Sequence, residues 1–564
     1  MEDTPSDDNE SLQVFFSRSA RQRYGVSIMK ASVALVKILK SEGVETIFAL
    51  SGNQIMVLFD ACLDEGVRII HVRHEAAALY MAEGYARMTG QIGVALVTAG
   101  AGLCNAVAPL FTAAQSQTPV LLISGDSEAE LDGKGSFQEM DQVQITSALT
   151  KYSDRIKETK NLIPCALKAI NLAKDGIPGP THLAIAADIL AANLGDGISD
   201  LKQVHKDAAG GVEPSAQLTK SIESAKKPLI IVGPFFGMPC HEGKLKKLEN
   251  KLNIPVVLME SPRGFNDPRL GNIKSMIHLA DLIIVVGKPI DFTLSFGSLE
   301  AFKQDAEWFV YIGSDELLKK SRSNLGNRLK EGKNVAPLVA IDMLQKLEHQ
   351  KAVSSNWFTS LRKAVDCRDF YIPDKPDDSD KLNSLTLVHT INQILSSSKN
   401  VIAVSDGGEI GQWVQSFLSH YLVMINGTSG AIGGSLSYAM AIKLVHPKKN
   451  VLAFMGDGTI GFHLAEFETA VREKLPVIAV IGNDLKWNAE VKIQEQQFGI
   501  NRVYACGLTD ARYDEVAVAL GGHGEYVTEI SELSAAFQRS FSSRKPACIN
   551  IRINGLAAPS FTNG

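Results

Sequence analysis

An α/β fold of three doubly wound parallel-sheet domains is predicted by three features of the sequence. Short apolar runs rich in Val, Ile and Leu recur almost throughout; they are continuously apolar rather than alternating; and helical patterns separate them. Strands of that kind are buried on both faces, which parallel sheets covered by helices achieve. The first set is TIFAL (46–50), VRIIHV (67–72), GVALVTA (93–99) and VLLIS (120–124). PLIIVG (228–233), PVVLME (255–260), LIIVVG (282–287) and WFVYIG (308–313) form the second. VIAVS (401–405), YLVMI (421–425), VLAFM (451–455) and VIAVI (477–481) form the third.

Two polar connectors separate the sets and give the expected boundaries: a domain over 26–193, a linker over 194–217, a central domain over 218–350, a linker over 351–383 and a third domain over 384–552. Residues 1–25 open with the acidic MEDTPSDDNE and are expected to be a disordered tail without the apolar core of a signal peptide. Residues 553–564, small and loop-like, are expected to be a tail or a lid over the site. A length of 564 residues fits several domains, and 45% hydrophobic with 21% charged residues is globular. The net charge of -5 gives no sign of a nucleic-acid surface. No apolar run reaches membrane-spanning length. Seven scattered cysteines without a CxxC pair suggest free thiols, and the expected location is cytoplasmic.

Polar motifs gather at the strand ends of the first and third sets, where open α/β sheets bind ligands. Gly456-Asp457-Gly458 follows strand 451–455, and FHLAEFETAVREK then reads as a helix with Leu464, Phe467 and Val471 on one face. The next strand ends in Asn483-Asp484. Asp457 and Asp484 thus stand at the carboxyl ends of neighbouring strands, where two hard oxygen ligands suit Mg²⁺. Flanking glycines admit a diphosphate, and helix N-terminal amides attract it. Asp406-Gly407-Gly408, after strand 401–405, and Thr459 are placed to line the same diphosphate end. Gly195-Asp196-Gly197 has no strand before it and reads as a linker turn.

The GDG motif with its Asn-Asp strand end resembles the signature of the thiamine diphosphate-dependent enzyme family. The resemblance implies metal ligation by Asp457, Asp484 and the backbone carbonyl of Lys486, with Asp484 standing where the family usually has asparagine. HEAAA…AEGYAR, within residues 73–90, resembles the family's catalytic glutamate motif. It implies that Glu75 hydrogen-bonds the cofactor's pyrimidine ring and favours the tautomer that activates the thiazolium carbon. Pyrimidine-binding, central and diphosphate-binding domains are implied in that order. So is a homodimer or homotetramer, with Glu75 reaching into the partner's site. Ile432, in NGTSGAIGGS, falls where the family places the apolar residue that bends the cofactor.

Within the family, the chain is most similar to benzaldehyde lyase and the bacterial 2-hydroxyacyl-CoA lyases. SFQEMDQV (136–143) resembles the segment that sets a glutamine beside the cofactor, making Gln138 the candidate. Gln54 stands where benzaldehyde lyase has a histidine and cannot titrate. Glu490 is the candidate acid/base, expected as a buried carboxylate beside the thiazolium that takes and returns a substrate hydroxyl proton. Arg263 is the candidate for a CoA or ADP phosphate in the central domain. GKPIDFTLSFG (287–297) does not resemble the FAD-associated arginine motif of acetolactate synthase, so FAD is not expected. The expected activity is thiamine diphosphate/Mg²⁺-dependent, reversible cleavage of a 2-hydroxyacyl-CoA to a ketone or aldehyde and formyl-CoA. The alternatives are a benzaldehyde-lyase-like carboligase of free aldehydes, an acetolactate synthase-like or oxalyl-CoA decarboxylase-like enzyme, and a non-catalytic homologue.

Overall fold

A computed structural model describes residues 29–194, 212–348, 355–372, 382–398 and 400–561. The expected N-terminal tail (1–25) and the Gly195-Asp196-Gly197 turn lie outside the described residues. All twelve apolar runs are strands, and they fall into three parallel sheets. The first sheet, edge to edge, is Arg68–His71, Thr46–Ala49, Gly93–Val97, Val120–Asp126, Thr181–Ala186 and Ser153–Ile156. The third is Leu422–Ile425, Val401–Ser405, Asn450–Gly456, Val477–Asn483, Ala547–Arg552 and His523–Val527, the same topology strand for strand. The central sheet has five strands: Val256–Leu258, Pro228–Val232, Leu282–Val286, Glu307–Tyr311 and Leu329–Lys333.

The continuous apolar runs are strands because both faces are covered. Ile283, Ile284, Val285 and Val286 have no accessible surface, and each such side chain is worth about 1.5–3 kcal/mol of burial. Five described strands of these three sheets carry no such run. Ser153–Ile156, Leu329–Lys333 and His523–Val527 are edge strands whose polar residues meet solvent. Thr181–Ala186 and Ala547–Arg552 are interior, but the buried, hydrogen-bonded His182 and Asn550 interrupt their apolar pattern.

In both six-stranded sheets the chain steps outward to one edge and then returns past its first strand. The strand order reverses between Thr46–Ala49 and Gly93–Val97 in one and between Val401–Ser405 and Asn450–Gly456 in the other. Crevices at such reversal points are where open α/β sheets take ligands. The two sheets share a core through the helices Glu75–Thr89 and Ser435–Val445. Residues 75–87 of the first helix are all buried, and Gly84 gives Tyr438 and Ala441 their close approach.

Several expected boundaries shift. Helix Ala216–Ser224 begins inside the expected 194–217 linker. Within 351–383, Ser355–Asp366 is a helix whose Trp357 and Leu361 are buried in the central core; the Trp357 indole N–H donates to Pro228 O (2.8 Å). The helix expected from residue 462 is confined to Glu466–Arg472, with turns before it. Among the described residues no helix is long and apolar enough to cross a membrane.

Candidate active site

The carboxyl ends of Val401–Ser405, Asn450–Gly456 and Val477–Asn483 open into a cavity of about 280 Å³. Gly407, Gly408, Ile432, Gly456, Asp457, Gly458, Thr459, Asp484, Lys486, Glu490 and Arg263 all line it. Its glycines have steric reasons. A Cβ at Gly458 would run into the Trp487 ring, and one at Gly407 would lie 2.7 Å from Ile432 Cγ2. Thr459 Oγ1 accepts from the Gly456 N–H (3.0 Å), which closes the turn after the strand.

Asp406 departs from expectation. It does not line the cavity; its fully buried carboxylate accepts backbone N–H groups of Gly407 (2.8 Å), Gly433 (3.0 Å) and Ser435 (3.2 Å). Those bonds fasten the segment carrying Ile432 to the strand end, so Asp406 shapes the cavity from behind.

Asp457 and Asp484 follow neighbouring parallel strands in which Gly456 pairs with Gly482. Between Asp484 and Lys486, Leu485 adopts a left-handed φ of 59°, a conformation a non-glycine residue holds only against a cost. The Leu485 carbonyl and the Trp487 N–H join a bridge to 506–508. The Lys486 N–H instead donates to Asp457 Oδ2 (3.2 Å), and its carbonyl takes no part in that bridge. Burial pushes the Asp457 carboxyl up to about 6. Burial, with the charge of Asp457, pushes Asp484 up to about 7. Two carboxylates crowded this way favour a cation between them. Among the described residues no group of three or more His, Cys, Asp or Glu side chains could hold a metal alone. Asp457, Asp484 and the Lys486 carbonyl would therefore share an ion with ligand oxygens, the arrangement Mg²⁺ takes with phosphates.

Arg263 is the candidate for a CoA or ADP phosphate. It reaches from the central domain into this same cavity, opposite Glu409, whose carboxyl burial pushes up to about 7. Arg263 Nη1, Glu409 Oε2, Asn426 Oδ1 and Asn488 Oδ1 line the cavity as buried polar atoms without a hydrogen-bond partner among the described residues. Buried polar groups are rarely left unsatisfied, and this mixture of cationic donor and acceptors fits an anionic ligand that also carries N–H groups. Glu490 is corrected. It sits in the first turn of helix Asn488–Phe498 at the cavity mouth and is exposed in the single chain, not buried. Lys492 pairs with Glu495 (2.9 Å).

Glu75, Gln54 and Gln138 do not line this cavity; they gather at the reversal point of the first sheet. Glu75, the first residue of its helix and 7% exposed, accepts from Asn105 Nδ2 (2.9 Å). Gly102 leaves room between the Glu75 carboxylate and Thr98. The Thr98 hydroxyl donates to Gln54 Oε1, and Gln54 Nε2 donates to Gln138 Oε1 (3.0 Å). Gln138 holds a left-handed φ of 62°. Glu466, which the helical pattern around it concealed, accepts the backbone N–H groups of Arg73 and His74 (3.0 Å each) and so fixes the turn that presents Glu75. Asn105, Glu409 and Glu466 carry no sequence signal of their own, because their partners are remote in the chain.

Residues 29–145 match the model of the thiamine pyrophosphate enzyme N-terminal TPP binding domain, and residues 406–551 match that of the C-terminal TPP binding domain. A probable acetolactate synthase of Mycobacterium bovis is 30% identical over 537 residues, covering 93% of this chain and 95% of the relative. The chain belongs to the thiamine pyrophosphate enzyme family. Within that family it is also similar to 2-hydroxyacyl-CoA lyase 2 of Bos taurus (30% identical, 88% of this chain and 84% of the relative). The corresponding protein of Danio rerio is 27% identical, covering 96% and 94%. The two matched stretches cover most of the two sheets of identical topology, and each holds one of the residue clusters described above. The chain is a thiamine diphosphate-dependent enzyme acting on small molecules.

Proposed function

We propose that the protein is a thiamine diphosphate/Mg²⁺-dependent carbon–carbon lyase, working reversibly on a 2-hydroxyacyl-CoA. The observation that carries this reading is the cavity lined by Asp457, Asp484 and Lys486 together with an exposed carboxylate, Glu490. Relatives named 2-hydroxyacyl-CoA lyase 2 support the substrate class. Asp457, Asp484 and the Lys486 carbonyl would hold Mg²⁺, and Gly407, Gly408, Gly458 and Thr459 would leave room for the diphosphate. When bound, thiamine diphosphate supplies a nucleophilic carbon and an electron sink. Glu75 would hydrogen-bond the pyrimidine, held in place by Asn105 and by the Glu466-anchored turn. Glu490 would take the substrate hydroxyl proton as the bond between C1 and C2 breaks. The balance is R₂C(OH)–CO–SCoA giving R₂C=O and H–CO–SCoA.

Glu75 and the Asp457 cavity occupy separate clusters in one chain. We therefore assign the complete site to two copies, with Glu75, Gln54 and Gln138 of one facing the cavity of the other. The 30% identical relative named acetolactate synthase favours a second reading, condensation of 2-oxo acids. Mass spectrometry separates the two. With thiamine diphosphate, Mg²⁺ and a 2-hydroxyacyl-CoA, formyl-CoA plus an aldehyde or ketone is expected. Acetolactate from pyruvate, with no CoA product, would replace the proposal by the second reading.

A further inference from the structure

The segment after the last strand runs back across the Asp484 turn. Ile553 N–H donates to Asn483 O (3.0 Å), Asn554 N–H to Leu382 O (2.9 Å) and Leu556 N–H to Ser384 Oγ (3.1 Å). The Leu556 carbonyl accepts from Asn488 Nδ2 (3.2 Å) and the Trp413 indole N–H (3.4 Å), and the Ala558 backbone N–H reaches Glu409. Farther on, Ser560 pairs with Tyr371, and Phe561 packs on Phe370. Residues 553–561 are thus a docked strap, and Ile553 forms part of the cavity wall.

The strap touches Asp484 at Gly555. A Cβ there would overlap Asp484 Oδ2, come within 2.8 Å of its Cγ and lie 3.0 Å from Asn488 Nδ2. Gly555 is not among the positive-φ residues, so its backbone does not demand glycine and the lack of a side chain serves space alone. Asp484 is followed directly by the strained Leu485, whose N–H donates to Asn483 Oδ1 (3.4 Å).

We infer that Gly555 is a positioning residue for Asp484: the strap backs the carboxylate and holds it toward the cavity. This rests on the reading of Asp484 as a metal ligand. Mg²⁺ accepts little distortion of its octahedron, so a side chain at 555 that turns Asp484 aside weakens Mg²⁺ more than the larger and more tolerant Ca²⁺. The expected loss for Mg²⁺ is about 10–100-fold, the usual effect of disturbing a group that orients a ligand.

The test is a double-mutant cycle of Gly555→Ala and Asp484→Ala on the full chain, read by thermal midpoint. In the cofactor-free protein, Gly555→Ala should lower the midpoint, and most of that loss should vanish in the Asp484→Ala background, where the two closest clashing atoms are gone and only the 3.0 Å approach to Asn488 Nδ2 remains. At fixed thiamine diphosphate, Gly555→Ala should raise the Mg²⁺ concentration for half-maximal stabilisation at least tenfold, and the Ca²⁺ concentration by less. Additive midpoint losses with an unchanged Mg²⁺ requirement would overturn the inference. If Gly555→Ala alone fails to fold, a folded double variant supports the inference and an unfolded one overturns it. Failure of the ligand reading looks different: wild-type midpoints would then ignore Mg²⁺ and thiamine diphosphate, whatever the cofactor-free cycle gives.

Discussion

Burial raises the carboxyls of Asp457 and Asp484, and under the proposed function this makes ion binding depend on pH. Their folded-state values, about 6 and about 7, lie above those of an unfolded aspartate. Between about pH 4 and these values the folded, metal-free protein therefore binds more protons than the unfolded chain, so its stability falls as pH rises through that window. Mg²⁺ needs the ionised forms, and protons compete with it. The Mg²⁺ concentration for half-maximal stabilisation at fixed thiamine diphosphate should fall as pH is raised from about 5.5 to about 8, and thermal-midpoint titrations would show it. An unchanged requirement would mean that these carboxylates do not face the ion. The role proposed for Glu75 carries another signature. Glu75→Gln should keep the cofactor-dependent midpoint shift while turnover drops about 10²–10⁴-fold; unchanged turnover would contradict that role, and loss of the shift would make the carboxylate a group needed to hold the cofactor.

The helices Glu75–Thr89 and Ser435–Val445 lock the two cofactor-binding sheets together around one polar network. Glu83, fully buried, accepts from the Ser116 hydroxyl (2.6 Å) and the Tyr438 hydroxyl (2.7 Å). Tyr438→Phe would leave that carboxyl short of a partner, with an expected loss of about 1–3 kcal/mol in denaturant unfolding. No loss would place the binding between the sheets elsewhere. Elements were legible in the sequence where burial alone dictates residue type. Leu282–Val286 and Val477–Asn483 are apolar because both faces are covered, whereas Leu329–Lys333 and His523–Val527 meet solvent at sheet edges and leave no such trace. Asp457 and Asp484 stood out because each follows a strand within a single βαβ unit. Gly555 and Glu466 did not, since one acts by lacking a side chain and the other through the backbone of residues nearly 400 positions away. Glu490 and Arg263 were legible as site residues but not in their surroundings: exposure at a cavity mouth, or reach from a neighbouring domain, follows from tertiary packing.

On the scale of the molecule, two sheets of one topology each carry one cluster of the proposed site. The first sheet gathers Glu75, Gln54 and Gln138, the third gathers Asp457, Asp484 and Lys486, and the central domain contributes Arg263. If two copies face each other, mixing inactive Glu75→Ala and Asp484→Ala proteins under exchange conditions should restore about a quarter of wild-type activity, because half the dimers are mixed and each carries one intact site. No recovery despite subunit exchange would argue for sites complete within one chain. Isothermal titration calorimetry of thiamine diphosphate into wild type, Asp457→Ala and Asp484→Ala, each with and without Mg²⁺, tests whether the cavity takes the cofactor through these two carboxylates. The expected result is saturable, Mg²⁺-dependent binding to wild type that both variants lose while remaining folded. Equal binding in all three, or binding indifferent to Mg²⁺, would contradict the assignment of Asp457 and Asp484 as the metal ligands of the cofactor site.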